Sequence, residues 1–482
     1  MKHLLSLLTM ALCLSCTART APSKMVSATA SAAATPTTPT ARHFVITFAE
    51  GARLTAYLPT QPSGRAIVDL PGGGYSHLAV DHEGHQWADW MNRQGIAFFV
   101  LEYRMPKGDR TIPLTDAYRA MTTVRDSATA WRVNPYDVGI MGFSAGGHLA
   151  SAVSTHAPWA ARPNFSILFY PVVSMDERVT HKGSCANFLG AEGMKDQRLI
   201  QQWSNDACVR RHLTPPACVI LSTDDRVVPP VTNGVAYYSA MRRAGNNCAL
   251  YAYPSGGHGY GIRKNFAFHE QMLGDLKAWL ATIAAPREQA LRVACIGNSI
   301  TDGMGIDMSE VYGYPAVLQR LLGKNYNVKN FGVSARTLMN KGDLPYMKEQ
   351  AWVDAQAFLP NIVVIKLGTN DSKDYNWIHG ADYGADLQKM VDTLRALPSK
   401  PQIYVCSPIP AARIWGISDS VIVNGEIPAI KRVVKKNKLA YIDLHTEFKP
   451  TEGLMQRDGI HPTDKGAAQL AKIIAAHIHT QK

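Results

Sequence analysis

Two serines in this chain of 482 residues stand where a polypeptide presents a nucleophile. Ser144 lies in Gly142-Phe143-Ser144-Ala145-Gly146, and Ser299 in Gly297-Asn298-Ser299-Ile300-Thr301. Each comes straight after an apolar run with strand character. A serine hydroxyl is a weak nucleophile until a base takes its proton. The chemistry therefore also needs an imidazole, a carboxylate to orient it, and donors for an oxyanion.

The surroundings of Ser144 supply all three in chain order. A GxSxG turn between strand and helix is sharp, and side chains on its glycines would collide with the flanking elements. The helix N-terminus and the Ala145 N–H favour developing negative charge. Such turns take their acid and base from later in the chain, as Ser, Asp, His. "STDDRVVPP" offers Asp225, with Asp224 as competitor, and "YPSGGHGYG" offers His258 in a glycine-rich loop. Upstream, Gly72-Gly73-Gly74 follows a strand, so Gly73 and Gly74 join Ala145 as candidate oxyanion donors. In "DHEGH", His82 and His85 are three apart rather than the four of HExxH. The segment is expected to be a hydrogen-bonded loop and not a metal site.

Ser299 is followed by different signals at wide spacing. Gly332 ends one strand-like run, Asn370 follows another in "GTND", and Asp458 and His461 share "DGIHP". Asp and His three residues apart on one turn can form a dyad, and His461 then activates Ser299. The backbone amides of Ser299 and Gly332 and the side-chain amide of Asn370 would meet the oxyanion.

These residues need a framework to bring them together. From residue 43, apolar runs such as "AIVDLP", "IAFFVLEYR", "DVGIMGF" and "ACVILST" alternate with helical spacing, for instance over 114–131. "SILFYPVV" reads as a strand over 166–173. "FVITFA" and "ARLTAYLP" read as an opening antiparallel pair. Near-continuous apolar strands are expected where a parallel sheet is covered on both faces. The alternation restarts after a short polar connection, 285–292, with strands at "RVACIGNSI", "YNVKNFGVS", "NIVVIKLGTND", "QIYVCSP" and "LAYIDLH". The fold class is α/β, in two domains at 43–284 and 291–480.

The first sixteen residues have a basic start, a short apolar core and Cys16, as in a bacterial export signal of the lipoprotein type. A plain cleaved signal is the alternative. An Ala/Thr/Ser/Pro-rich spacer over 17–42 follows. The expected location is exported: periplasmic, outer-membrane-anchored through lipidated Cys16, or secreted. Among the six later cysteines, Cys185 and Cys208 are the expected disulfide pair, and Cys295 and Cys406 read as core residues. Apolar residues make up 46% of the chain and charged residues 18%, enough for a full core in each half. The net charge of +12 comes without a long basic run or RNA-binding signature, which argues against a nucleic-acid partner. No cofactor is expected. Tyr75, Trp87, Tyr260, Tyr375 and Trp377 read equally as sugar-stacking or core aromatics.

The blocks "PGGGYSHLAVDHEG", "NPYDVGIMGFSAGGHLA", "RPNFSILFYPV", "TPPACVILSTDDRVVP" and "YPSGGHGYG" resemble α/β-hydrolase esterases of the acetyl xylan and feruloyl esterase kind. The usual HGGG stands here as Pro71-Gly72-Gly73-Gly74, which loses a histidine but keeps the backbone donors. Ser299, Gly332, Asn370 and His461 resemble the four name-giving residues of the SGNH hydrolases, whose common GDSIT reads GNSIT here. The resemblances imply an α/β-hydrolase fold followed by an SGNH (flavodoxin-like) three-layer fold. They imply a bifunctional carbohydrate esterase that removes O-acetyl or other acyl groups from plant polysaccharide such as xylan, so the expected partner is an acylated polysaccharide or oligosaccharide. The alternatives are an esterase of sialate or other host glycans, or one active domain beside a silent glycan-binding module.

Overall fold

The computed structural model describes residues 42–479. The export signal at 1–16, Cys16 and nearly all of the spacer lie outside them. The first sheet comprises β1 (Arg42–Thr47), β2 (Arg53–Leu58), β3 (Ala66–Leu70), β4 (Ala97–Glu102), β5 (Val138–Phe143), β6 (Ser166–Phe169), β7 (Ala217–Ser222) and β8 (Cys248–Tyr253). Their order is β1-β2-β4-β3-β5-β6-β7-β8. β1 pairs antiparallel with β2, and β2 with β4; every other pairing is parallel. β1 takes in Arg42 opposite Leu58, so the sheet begins one residue inside the expected spacer.

The second sheet comprises β9 (Leu291–Gly297), β10 (Tyr326–Gly332), β11 (Ile362–Lys366), β12 (Gln402–Cys406) and β13 (Ala440–Ile442). Its order is β10-β9-β11-β12-β13, parallel throughout. Every residue of β5, β7 and β11 is buried. Helices cover both faces, and each sheet has one apolar core on either side. The observed class is α/β, as the alternation requires.

The segment joining the sheets is fastened on both sides. Arg65 donates to the carbonyls of Leu280 and Ile283, each at 2.6 Å. Asn134 donates to Pro286 O at 2.6 Å, and Arg287 N to Lys324 O at 2.7 Å.

Several expectations need correction. β6 ends at Phe169, because Tyr170 turns to φ 31 and the chain leaves the sheet. The remaining apolar residues of that run, Val172 and Val173, are buried without being strand. Between β6 and β7 lie two helices with no counterpart in the sequence reading, Lys182–Gly193 and Gln197–Trp203. Cys185 and Cys208 are both free. Cys185 is buried in the core, and Cys208 Sγ points to the carbonyl of Gln202. Tyr75, Trp87 and Tyr260 are core residues rather than exposed stacking surfaces, whereas Tyr375 is exposed.

Candidate active sites

Ser144, at the C-terminal end of β5, is the first residue of helix Ser144–His156 and has φ 52. A side chain in the left-handed region costs free energy that its surroundings must offset, and such strain marks functional turns. The offset comes from close backbone contact. A Cβ on Gly142 would stand 2.3 Å from Gly146 O, and one on Gly146 would stand 2.0 Å from Leu70 O. Only glycine fits at either place.

Ser144 Oγ lies 2.8 Å from His258 Nε2, and His258 Nδ1 lies 2.6 Å from Asp225 Oδ2. Asp225 Oδ1 accepts the N–H groups of Val227 and Val228 at 2.9 Å. Asp224 is turned elsewhere: its Oδ1 accepts Gly257 N–H at 2.8 Å and so holds the loop that carries His258. Of the two neighbouring carboxylates, Asp225 therefore reaches the imidazole. Gly73 and Gly74 follow β3 with φ 128 and 63. Gly72, just before them, comes within 3.0 Å of Ser144 Cβ when given a Cβ of its own.

Glu83 of "DHEGH" and two side chains that the sequence does not single out, Tyr170 and His181, support this site. Glu83, buried, accepts Gly72 N–H at 3.0 Å and the Tyr170 hydroxyl at 2.8 Å. Tyr170 in turn accepts Gly261 N–H at 2.9 Å, and its ring packs edge-on to His258 at 4.8 Å. Burial and the Glu83 carboxylate push the Tyr170 phenol well above its usual pKa, so it stays a donor. His181 sits at the start of helix Lys182–Gly193, where its ring would meet a Cβ on Gly74 at 3.3 Å. Burial lowers its pKa, with the neighbouring His258 acting in the same direction. The "DHEGH" segment is a short helix, Asp81–His85, kinked at Gly84, rather than the expected loop, and its side chains take separate hydrogen-bond partners. His85 bonds Tyr57 and His82 meets Arg263, while Glu83 points inward. Among the described residues, no three His, Cys, Asp or Glu side chains are grouped to hold a metal ion.

The second site is built from different parts. Ser299 follows β9 and opens the short helix Ser299–Asp302. Asn298 caps it, its Oδ1 accepting Ile300 N–H at 3.2 Å. Ser299 Oγ lies 2.8 Å from His461 Nε2, and His461 Nδ1 lies 2.7 Å from Asp458 Oδ2. Asp458 Oδ1 accepts the N–H groups of Ile460 and His461 at 2.9 Å. Burial alone would raise the Asp458 pKa, but the bonds from His461 and these amides outweigh it and hold the carboxyl below its usual range.

The expected oxyanion donors are less free here. Gly332 N–H is engaged by Asn330 Oδ1 at 2.8 Å, so it can serve an oxyanion only by leaving that side chain. Asn370 Nδ2 donates to Arg336 O at 3.2 Å with one of its two hydrogens. A Cβ on Gly332 would meet Asp302 N at 2.3 Å, so strand end and serine turn pack backbone to backbone. Trp415, absent from the sequence-derived candidates, is 59% exposed, with φ 54 and its ring 6.4 Å from that of His461.

Both serines are thus hydrogen-bonded to an imidazole that is itself oriented by a carboxylate, the arrangement that acyl transfer requires. Residues 67–262 match the alpha/beta hydrolase fold, and residues 295–469 match the GDSL-like Lipase/Acylhydrolase family. The chain is 56% identical over 459 residues to an acetylxylan esterase of Xylanibacter ruminicola, covering 91% of this chain and 96% of that protein. The chain belongs to the acetylxylan esterase family. Its two esterase-type domains are the two sheets described above. An endo-1,4-beta-xylanase B of Butyrivibrio fibrisolvens is 31% identical over 231 residues, 45% of this chain and 35% of that protein. A solved acetyl ester-xyloside bifunctional hydrolase from Caldicellulosiruptor lactoaceticus is 32% identical, with TM-score 0.45, over 48% of this chain and 88% of that one.

Proposed function

We propose that this member of the acetylxylan esterase family removes O-acetyl groups from plant polysaccharide, xylan foremost, at two serine sites. The first comprises Ser144, His258 and Asp225, the second Ser299, His461 and Asp458. At each, the serine Oγ attacks the ester carbonyl carbon as its proton passes to the imidazole Nε2. The tetrahedral oxyanion meets backbone donors Gly73, Gly74 and Ala145 in the first site, and in the second Ser299 and the Asn370 amide, joined by Gly332 once its N–H leaves Asn330. The imidazolium then gives its proton to the departing sugar oxygen, leaving acetyl-serine. Water attacks that ester, assisted by the same imidazole, and acetate departs as the serine recovers its proton.

The observation that carries this reading is the doubled Asp–His–Ser chain with bonds of 2.6 to 2.8 Å. The near full-length similarity to an acetylxylan esterase supports xylan as the polymer. The exposed Trp415 beside His461 gives the second site a flat apolar face of the kind sugar rings stack on.

Acetate release from acetylated xylan by Ser144→Ala, Ser299→Ala and the double variant is the test. Each single variant is expected to retain the other site's activity, and the double variant to have none. A fluorophosphonate should label two serines in the parent and one in each single variant. One label in the parent, or full loss in a single variant, would sink the two-site reading. We further propose export with lipid attachment at Cys16. Mass spectrometry of membrane-bound protein should then find a diacylated N-terminal cysteine, and Cys16→Ser should release the protein from the membrane.

A further inference from the structure

The first domain reaches into the loops that carry Ser299. His212, in the loop before β7, has φ 63 and a side chain only 4% exposed. Its Nε2 lies 2.8 Å from Asp302 Oδ1, and its Nδ1 bonds Glu310 Oε1. Arg211 Nε approaches the same Asp302 oxygen at 2.7 Å. Its Nη2 donates to the carbonyls of Asp302 and Gly303, at 3.0 and 3.2 Å, and to Ser309 Oγ at 2.8 Å. The second Asp302 oxygen accepts from Ser334 Oγ, two residues past Gly332.

Asp302 closes the short helix that Ser299 opens, and its amide is what the missing Cβ of Gly332 leaves room for. A second contact braces the other side. Trp159 of the first domain packs against Phe331 at 5.9 Å, one residue before Gly332. In the opposite direction, the second domain's Arg292 bonds Tyr136 and the connection's Glu288 bonds Thr129. Both are remote in the fold from the loops holding Ser144, Asp225 and His258.

We propose that Arg211 and His212 of the first domain are positioning residues for the Ser299 site of the second. By clamping Asp302, they fix the turn bearing the nucleophile against the strand end bearing Gly332. The proposal rests on the reading of Ser299 as a nucleophile. The left-handed backbone at His212 is a strain that its ion pairs offset, which is the mark of a side chain placed for a purpose. Burial alone would lower the His212 pKa, yet the bonds to Asp302 and Glu310 outweigh it and raise it to about 9. The imidazole is therefore charged at neutral pH, between two carboxylates whose own pKa values these bonds hold down against burial. Arg211 faces the same pair. Lys329 faces Glu310, its ammonium lowered by burial.

The two-site protein carries its own control. In the full chain, Ser144→Ala isolates the Ser299 site, and Ser299→Ala isolates the Ser144 site, with p-nitrophenyl acetate as probe. His212→Gln is expected to cut kcat at Ser299 roughly ten- to a hundredfold with KM nearly unchanged, and to leave Ser144 turnover as it was. Glu310→Gln keeps the shape and removes one negative charge. It is expected to hold neutral-pH turnover at Ser299 while drawing its alkaline decline to lower pH, with the Ser144 profile unmoved. Unchanged Ser299 turnover in His212→Gln, an unmoved alkaline limb in Glu310→Gln, or equal loss at both sites overturns the proposal. Failure of a fluorophosphonate to label Ser299 with His212 intact removes the nucleophile reading instead, so the two failures are told apart.

Discussion

Asp225 and Asp458, on unrelated folds, divide their oxygens alike: Oδ2 takes the histidine, and Oδ1 takes two backbone N–H groups. The split anchors each carboxylate before it orients the imidazole. An asparagine at either place can keep the backbone bonds only by turning its NH₂ toward the histidine Nδ1. The imidazole must then present the wrong tautomer to the serine. Asp225→Asn and Asp458→Asn are each expected to lower kcat at their own site by roughly 10³- to 10⁴-fold, with little change in melting temperature. Steady-state rates with the other serine replaced by alanine measure this.

Asp458 also predicts an acid limit to stability. Its pKa in the folded protein lies below that of an unfolded aspartate. A depressed carboxyl stabilises the fold above the unfolded value of about 3.9, and that contribution is lost as pH falls through the folded value. Melting followed from pH 5 down to pH 2 should show a steeper decline in the parent than in Asp458→Asn.

The Ser144 turn tolerates no side chain on its glycines. Gly146→Ala puts a methyl 2.0 Å from the Leu70 carbonyl oxygen, a backbone atom that cannot swing aside. We expect about 1–3 kcal/mol of destabilisation, read as a lower melting temperature. Turnover at Ser144 should vanish while the Ser299 site keeps working.

A sugar-stacking role for Trp415 would tell polymer from small ester. Trp415→Ala should raise KM for acetylated xylan at the Ser299 site by roughly fivefold, the loss of about 1 kcal/mol of ring stacking. KM for p-nitrophenyl acetate should stay the same. Equal effects on both substrates would contradict a sugar platform.

The sequence announces the central strands because parallel strands covered on both faces must be apolar throughout, as "VGIMGF" and "IVVIK" are. The same signal overreaches at "SILFYPVV", where burial continues after pairing has stopped. Helices Lys182–Gly193 and Gln197–Trp203 leave little trace, the first being kinked at Gly190 with φ 73. Both Asp–His–Ser chains are legible because turn chemistry constrains the neighbours of each residue. Asp225 is favoured over Asp224 on paper by its D-x-x-V-P register alone, and one peptide step decides which carboxylate faces the loop and which the ring. Glu83 and Tyr170 are 87 residues apart, and His212 and Asp302 are 90. No local pattern joins such pairs: the strand order of the first sheet brings Glu83 to Tyr170, and contact between the two domains brings His212 to Asp302. Trp415 hides for another reason, because an exposed tryptophan and a core tryptophan look the same in a string of letters.

The connection between the sheets is sewn down along both banks, through Arg65, Asn134 and Arg287. Bending at that joint would break hydrogen bonds toward both halves, a cost that a slack linker does not carry. Independent swinging of either half is resisted to that extent.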